Sequence, residues 1–268
     1  MSEMLITVLA LLAIGSFIGF MAGLLGVGGG MMLVPFMIFI FEFNHFPPDL
    51  IMKMALATSL TTILFTSISS VRAHHKKGAV NWSIAKPMAV GAFLGTFIGA
   101  NFAGAMKSEW LTTFFAVFVG FSALQMLRNK KPKPSRDVPG KLGLGAAGSV
   151  VGFISSLVGA GGGFITTPFL VWCNVAMHQA IGIAAALGLP IAAGGLVGYV
   201  IAGWGQEGLP AGSIGFIYLP ALFATAAATV ITAPMGARTA HRLPVSTLKR
   251  VFAYMLLTLA VVMMWRVF

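Results

Sequence analysis

Long apolar stretches separated by short polar ones run along the whole chain. Their positions are 4–25, 30–42, 50–71, 82–106, 110–127, 142–158, 164–176, 179–202, 212–237 and 246–267. Several reach the roughly 20 residues that a helix needs to cross about 30 Å of hydrocarbon. Continuous apolar runs also lack the alternation of apolar and polar positions that a membrane barrel requires. The pattern therefore predicts an all-α polytopic membrane protein.

A glycine-rich phrase occurs twice within this pattern, at 19–36 (GFMAGLLGVGGGMMLVPF) and at 152–169 (GFISSLVGAGGGFITTPF). Nine of the eighteen aligned positions are identical, and the second copy begins half a chain length after the first. This duplication predicts a first repeat at 1–128, a linker at 129–141 and a second repeat at 142–268. Three consecutive glycines interrupt the apolar run in each copy, which predicts a broken helix.

Composition and charge place these segments in the membrane. With 58% hydrophobic and 9% charged residues, the chain lacks the polar surface of a soluble globule, so its surroundings are predicted to be the lipid bilayer. Of the 17 Lys and Arg residues, 14 lie in or beside the polar stretches near 72–86, 128–141 and 238–250. The positive-inside rule assigns these three stretches to the cytoplasm. The net charge of +11 thus indicates orientation in an inner membrane and predicts no nucleic-acid partner.

The remaining connections carry acidic residues and are predicted to face outward: Glu42, Asp49, Glu109 and Glu207. Each half then becomes a hairpin followed by three transmembrane helices. The first half has the hairpin 4–42 and helices 50–71, 82–106 and 110–127, and the second has the hairpin 142–176 and helices 179–202, 212–237 and 246–267. An odd number of crossings per half gives the halves opposite orientation, which is typical of inverted repeats. Both chain termini are then extracytoplasmic.

The second arms of the hairpins are short. Runs 30–42 and 164–176 have 13 residues each, or about 20 Å as a helix, which favours a bend inside the bilayer. Whether the hairpins are re-entrant or cross twice stays open at this point.

The glycine bends are the first candidate for a substrate site. Glycine adopts positive φ and exposes its backbone amides, and a helix that starts after a break presents free N–H groups and a positive dipole end. Two such bends meeting near the symmetry axis would form an anion site. The alternative is close helix packing, which we favour for the spaced Gly91, Gly95 and Gly99. The candidate site glycines are Gly28, Gly29, Gly30, Gly161, Gly162 and Gly163.

Hydroxyl groups are the second candidate, because they donate hydrogen bonds to oxyanions. In membrane helices, however, Ser and Thr more often bond the carbonyl one turn back. Both interpretations stay open for the candidates in the first repeat, Thr58 and Ser59. The candidates in the second repeat are Thr166 and Thr167. For Thr61 and Thr62 we favour the bond within the helix.

Acidic and metal-binding residues are placed unfavourably for cation chemistry. All six acids fall at the terminus or in the connections, so no mid-membrane carboxylate is predicted as a proton relay or cation ligand. No grouping of His, Cys and Asp has the spacing of a zinc site. We therefore predict an anionic substrate held by neutral dipoles, with no metal, cofactor or catalytic residue.

Several phrases together resemble the TauE/SafE sulfite exporter family over nearly the whole chain: both glycine phrases, Ala57–Leu60, Gly78–Trp82 and Met235–Arg238. The resemblance implies an inner-membrane permease that exports sulfite, sulfoacetate or similar sulfur-containing anions, and it suggests a homodimer. It maps the site onto Gly28, Gly29, Gly30, Thr58 and Ser59 in the first repeat and onto Gly161, Gly162 and Gly163 in the second. Where the family's second repeat tends to carry Gly-Thr-Ser, this sequence has Gly182-Ile183-Ala184, which predicts an asymmetric site.

The sequence thus predicts a secondary transporter that exports a small anion by rocking its two halves around the glycine hairpins. One alternative is a permease for an uncharged solute or a metal. Another is an intramembrane enzyme or assembly factor, for which no nucleophile, base or metal constellation is visible in the sequence.

Overall fold

The structure is a computed structural model that describes residues 2–25, 30–128, 135–240 and 245–265. These residues form helices together with one small β-hairpin. In chain order the elements are α1 (Ser2–Leu25), α2 (Gly30–Phe43), α3 (Pro48–Lys76), α4 (Trp82–Ala105), α5 (Ser108–Arg128), α6 (Lys141–Val158), α7 (Gly163–Trp172), α8 (Met177–Ala202), β1 (Ser213–Ile214), β2 (Ile217–Tyr218), α9 (Leu219–Ala240) and α10 (Val245–Trp265).

Most of the described chain lies in apolar helices. Six helical stretches are long and apolar enough to cross a membrane, namely α3, α4, α5, α6, α8 and Leu219–Gly236 of α9. Shorter apolar stretches lie in α1, α2, α7 and α10. The predicted all-α polytopic membrane protein is confirmed by these helices.

One predicted span begins later than expected. The apolar run 212–237 is helical only from Leu219, because its first residues form an antiparallel hairpin that pairs Ser213 with Tyr218 and Ile214 with Ile217. Gly212 and Gly215 have φ values of 87° and 54°, which glycine adopts without the steric penalty that a side chain would bring. A glycine with positive φ in a two-residue hairpin loop matches the twist of paired strands. Hydropathy alone missed this hairpin.

Contacts between turns show which helix ends lie together. The Thr7 hydroxyl near the start of α1 donates to Asn44 Oδ1 just after α2, at 2.9 Å. The Ser108 hydroxyl at the start of α5 donates to the carbonyl of Asp49 at the start of α3. We name this side of the bundle the acidic end, after the carboxylates that lie there: Glu42, Asp49 and Glu109.

The opposite side, which we name the basic end, gathers the basic connections. The backbone N–H groups of Ser135 and Arg136 donate to the carbonyl of Trp172 at the end of α7, at 3.1 and 3.3 Å. Gly182 at the start of α8 lies so close to Ala79, between α3 and α4, that any side chain there would overlap it. The first hairpin, α1 with α2, therefore opens toward the acidic end. The second hairpin, α6 with α7, opens toward the basic end.

The first helix of each half packs along the fourth helix of the other half, α1 against α9 and α6 against α4. Glycines at equivalent positions of the two copies allow this close approach: Gly15 and Gly19 in α1, and Gly148 and Gly152 in α6. Gly19 lies against Thr229, and Gly152 lies against Thr96. These two threonines are separated along the chain by the same interval as the two glycines, so they also occupy equivalent positions. The two halves thus exchange equivalent contacts.

The spaced glycines of α4 pack as predicted. Gly91, Gly95 and Gly99 each lie where an added Cβ would overlap α6, at Gly145, Ser149 and Ser156 respectively. Absence of a side chain lets the two backbones approach, which is how small residues associate membrane helices.

Replacement of one of these glycines should loosen the α4–α6 contact. In Gly95→Ala the new methyl group would overlap the Ser149 carbonyl, so we expect a loss of about 1 to 3 kcal/mol of stability from overpacking. Gly120→Ala in α5 is the matched control, because its Cβ would lie 3.7 Å from Ala260 Cβ, an ordinary contact. Thermal unfolding in detergent should show a lower midpoint for Gly95→Ala alone. Equal midpoints in the two variants would contradict this packing role.

Candidate functional site at the glycine bends

The second glycine phrase breaks the helix where the sequence predicts it. Helix α6 ends at Val158, and Gly159 closes it with φ of 64°. Gly162, with φ of 74°, precedes the first residue of α7. Positive φ at both positions requires glycine for a low-energy backbone. The bend between α6 and α7 therefore follows directly from these glycines.

The start of α7 presents backbone donors to the bend. The Gly162 carbonyl accepts the N–H groups of Ile165 and Thr166 at 3.1 and 2.9 Å. The N–H groups of Gly163 and Phe164 precede the first intrahelical bond and have no acceptor within the helix. Gly162 has no side chain to cap them, and the positive end of the helix dipole, at the start of α7, faces the bend.

The first glycine phrase reaches the same place. Gly28 and Gly29 lie outside the described residues, but Gly30 begins α2 and contacts the second bend. A Cβ on Gly30 would overlap the Gly159 carbonyl and lie 3.2 Å from Ala160 Cα. Gly161 lies next to Ile63 of α3, whereas a Cβ on Gly163 would have open space around it. The two phrases therefore meet at one junction, formed by Gly30 and the Gly159–Gly163 bend.

Ser59 joins the two phrases at this junction. Its hydroxyl lies 3.1 Å from the carbonyl oxygen of Gly30 and 3.2 Å from that of Gly159. Ser59 itself is fully buried in the middle of α3. This side chain therefore bonds across the halves and does not return its hydrogen to its own helix.

Thr58 makes a different cross-link. Its Oγ1 accepts the backbone N–H of Tyr218 in β2 at 3.1 Å. The Tyr218 ring packs edge-on against Phe41 and Phe46. The β-hairpin is thereby held beside the junction by a neutral aromatic cluster.

The hydroxyls of Thr61 and Thr62 bond within α3, as predicted. They donate to the carbonyls of Ala57 and Thr58 at 2.7 and 2.9 Å. Both hydroxyls are satisfied within α3, and Thr62 Oγ1 also lies 3.3 Å from Thr225 Oγ1 of α9.

The second hairpin carries two unsatisfied hydroxyls. Within the described part of the chain, the buried Ser155 Oγ and Thr166 Oγ1 have no hydrogen-bond partner. Thr167, the other predicted residue of α7, is half-buried. Ser155 was not among the predicted site residues. The signal that could have found it is the difference between the two copies, because the first copy has Ala22 at the equivalent position.

A small cavity lies beside the junction. Its volume is about 10 Å³, which is room for one water-sized group. Its lining comes from both hairpins and α5: Met31, Phe118, Ile154, Ser155, Val158, Ala160, Gly162, Phe164 and Ile165. A sulfite-sized anion does not fit into this cavity, so Gly30 and the second bend are closed on each other in this structure.

The charged side chain of Lys53 makes its contacts outside the junction. Lys53, near the acidic end of α3, donates to the Gly104 carbonyl at 2.8 Å and lies over the Phe216 ring. No group of three or more His, Cys, Asp or Glu side chains suited to a metal ion occurs among the described residues. The junction is therefore built from backbone amides, carbonyls and neutral side chains.

Gly182, on which the prediction of an asymmetric site rested, does not lie at the second bend. Gly182 packs on Ala79 at the basic end, away from the bends. Gly188 of α8 lies beside Gly161, and the Ile191 side chain lies beside Gly162. The hydroxyl of Ser59 thus has no counterpart among the α8 residues that contact the second bend, Gly188 and Ile191.

Comparison with known proteins gives consistent matches. The family model described as sulfite exporter TauE/SafE matches residues 11–263. A probable membrane transporter protein of Haemophilus influenzae is 35% identical over 255 residues, which cover 95% of this chain and 97% of the relative.

More distant relatives have similar descriptions. A probable membrane transporter protein of Methanocaldococcus jannaschii is 28% identical and covers 87% of this chain and 86% of its own length. Another, of Bacillus subtilis, is 28% identical and covers 64% of this chain and 68% of its own. No solved structure gives a significant match.

Proposed function

The chain belongs to the TauE/SafE family of membrane transporters, and from this premise we propose that it exports a small sulfur-containing anion, such as sulfite or an organosulfonate. The observation that carries the proposal is the junction of the two glycine phrases, where Gly30 contacts Gly159 and Ser59 bonds both carbonyls. Non-helical backbone at membrane depth is tolerated where it is buried in protein or lines a cavity. The proposed substrate site is this junction.

We further propose that the two halves are inverted repeats that work by alternating access. Two observations support this. The hairpins open toward opposite ends of the bundle, and glycines at equivalent positions of the two copies make equivalent contacts across the halves. Rocking of one repeat against the other around a central site is the motion that such symmetry supports. The proposed repeats are 1–128 and 142–268.

The proposal of an anion rests on the groups at the junction. The unbonded N–H groups at the start of α7 and the buried hydroxyls of Ser155 and Thr166 are donors, and the helix dipole favours negative charge there. The basic end, proposed to face the cytoplasm by the positive-inside rule, would raise the local anion concentration at the inner mouth. Both chain termini would then be extracytoplasmic.

Flux into proteoliposomes tests the function. The purified protein should give saturable uptake of labelled sulfite or sulfoacetate above that of protein-free liposomes, and competition with sulfate should report the width of the specificity. Absence of saturable flux for both labelled anions would contradict the proposed transport. Saturable flux of an uncharged solute or a metal ion in their place would support the alternative permease.

A further inference from the structure

Ser155 and Thr166 depart from the way hydroxyls are bonded elsewhere in these helices. Most helical Ser and Thr side chains return their hydrogen to a carbonyl three or four residues back, as Thr96 does to Ala92 and Ser156 does to Phe153. Ser155 is 2% exposed and Thr166 is fully buried, yet neither hydroxyl has a partner among the described residues. A buried hydroxyl without a partner costs free energy, so its retention requires an explanation.

The Ser155 hydroxyl faces the closed junction. It lines the small cavity together with Gly162 and Met31. Its Oγ lies 3.2 Å from the position that a Cβ on Gly162 would take, next to the first turn of α7. The unsatisfied hydroxyl and the unbonded N–H groups of that turn thus occupy the same side of the bend.

The first hairpin has no such groups at the equivalent positions. The residues that align with Ser155 and Thr166 in the first copy are Ala22 and Leu33, whose side chains cannot form hydrogen bonds. Leu33 is buried in the core. Side-chain donors at these two positions are therefore confined to the second hairpin.

We propose that Ser155, assisted by Thr166, donates a hydrogen bond to an oxygen of the transported oxyanion, so that the second hairpin recognises the substrate. This inference rests on the proposed function and assigns it a binding residue. The cavity admits one oxygen atom, and the remainder of the anion takes the space that opens when the hairpins separate. Met31 lines the cavity on the other side and has the flexible side chain needed to move aside.

The test compares Ser155→Ala with its neighbour Ser156→Ala. Ser156 is equally buried, but its hydroxyl donates to Phe153, so this control removes a local bond and leaves the cavity unchanged. With the labelled anion that the wild type transports, sulfite or sulfoacetate, Ser155→Ala should raise KM about tenfold, as expected for a lost hydrogen bond to a charged group. Ser156→Ala should leave KM unchanged.

Thermal unfolding separates recognition from a structural role. Without substrate, Ser155→Ala should unfold at the wild-type temperature or above it, because the variant removes an unsatisfied buried group. Addition of sulfite should raise the unfolding temperature of the wild type more than that of the variant. Thr166→Val, which preserves the shape of the side chain, should also raise KM.

Two results would overturn the inference while leaving the proposed function intact. One is anion flux with unchanged KM in both Ser155→Ala and Thr166→Val. The other is a lower unfolding temperature of Ser155→Ala with unchanged KM, which would assign the hydroxyl to folding. Absence of anion flux in the wild type would instead overturn the proposed function and this inference together.

Discussion

Transport by Gly162→Val is expected to fall about a hundredfold, while the protein still inserts and folds. Valine would have to adopt φ near 74°, which costs about 1 to 2 kcal/mol for a residue with a side chain. Its Cβ would also lie 2.7 Å from Ile191 Cδ1 and 2.8 Å from Val151 Cγ1, and overpacking adds about 1 to 3 kcal/mol. Together these penalties lower the population of the native bend geometry by about two powers of ten.

The matched control is Gly205→Val. Gly205 has φ of 75°, and a Cβ there would have no neighbour within 4 Å. Both variants therefore carry the same backbone strain, but only one crowds the bend. Anion flux at equal reconstituted protein should be retained in Gly205→Val and lost in Gly162→Val. Normal flux in Gly162→Val would assign the glycine to packing. An equal loss of flux in Gly162→Val and Gly205→Val would show that backbone strain reduces transport wherever it occurs.

Ser59→Ala should uncouple the two glycine phrases. The variant removes the donor that lies 3.1 and 3.2 Å from the carbonyls of Gly30 and Gly159, and these buried groups lose a bond worth about 1 to 3 kcal/mol. We expect a fall in flux of about tenfold or more, with an unfolding temperature lower by a few degrees. Flux in proteoliposomes and thermal unfolding in detergent measure the two effects.

Thr61→Val controls for the loss of a hydroxyl from the same helix. The Thr61 side chain is equally buried and bonds only to Ala57 of its own helix. This isosteric change should leave flux near the wild-type level. If Thr61→Val and Ser59→Ala reduced flux alike, the effect would belong to the stability of α3, and the bond between the phrases would have no special role.

The sequence predicted correctly those features that depend on the local properties of glycine. Triple glycines in an apolar run predicted the bend at Gly159–Gly163, because a backbone at positive φ needs glycine whatever surrounds it. Spaced glycines in α4 predicted close packing for a similar reason. The predicted opposite orientation of the halves led us to expect that the two glycine phrases meet, and Gly30 contacts the second bend.

Features that depend on tertiary contacts were not predictable. Ser155 and Ser156 are adjacent serines in the same helix, and the sequence does not distinguish them. Only the packing of the bend leaves the Ser155 hydroxyl unsatisfied while the Ser156 hydroxyl is bonded. The partner of Thr58 lies 160 residues away in the chain and the two partners of Ser59 lie 29 and 100 residues away, so no local pattern could reveal them. The hairpin at Ser213–Tyr218 is the exception, since its closely spaced glycines and Pro210 were a readable signal against a helix.

A serine hydroxyl has a single hydrogen atom, and this limits what Ser59 can do between its two acceptors. The distances to the two oxygens, 3.1 and 3.2 Å, are nearly equal, so the hydrogen has two nearly equivalent positions, one on each half of the protein. A small shift of either phrase exchanges one bond for the other without leaving the hydroxyl unpaired. Only the bond to Gly159 crosses between the halves, so this exchange lets the halves move slightly apart while the hydroxyl stays paired with Gly30.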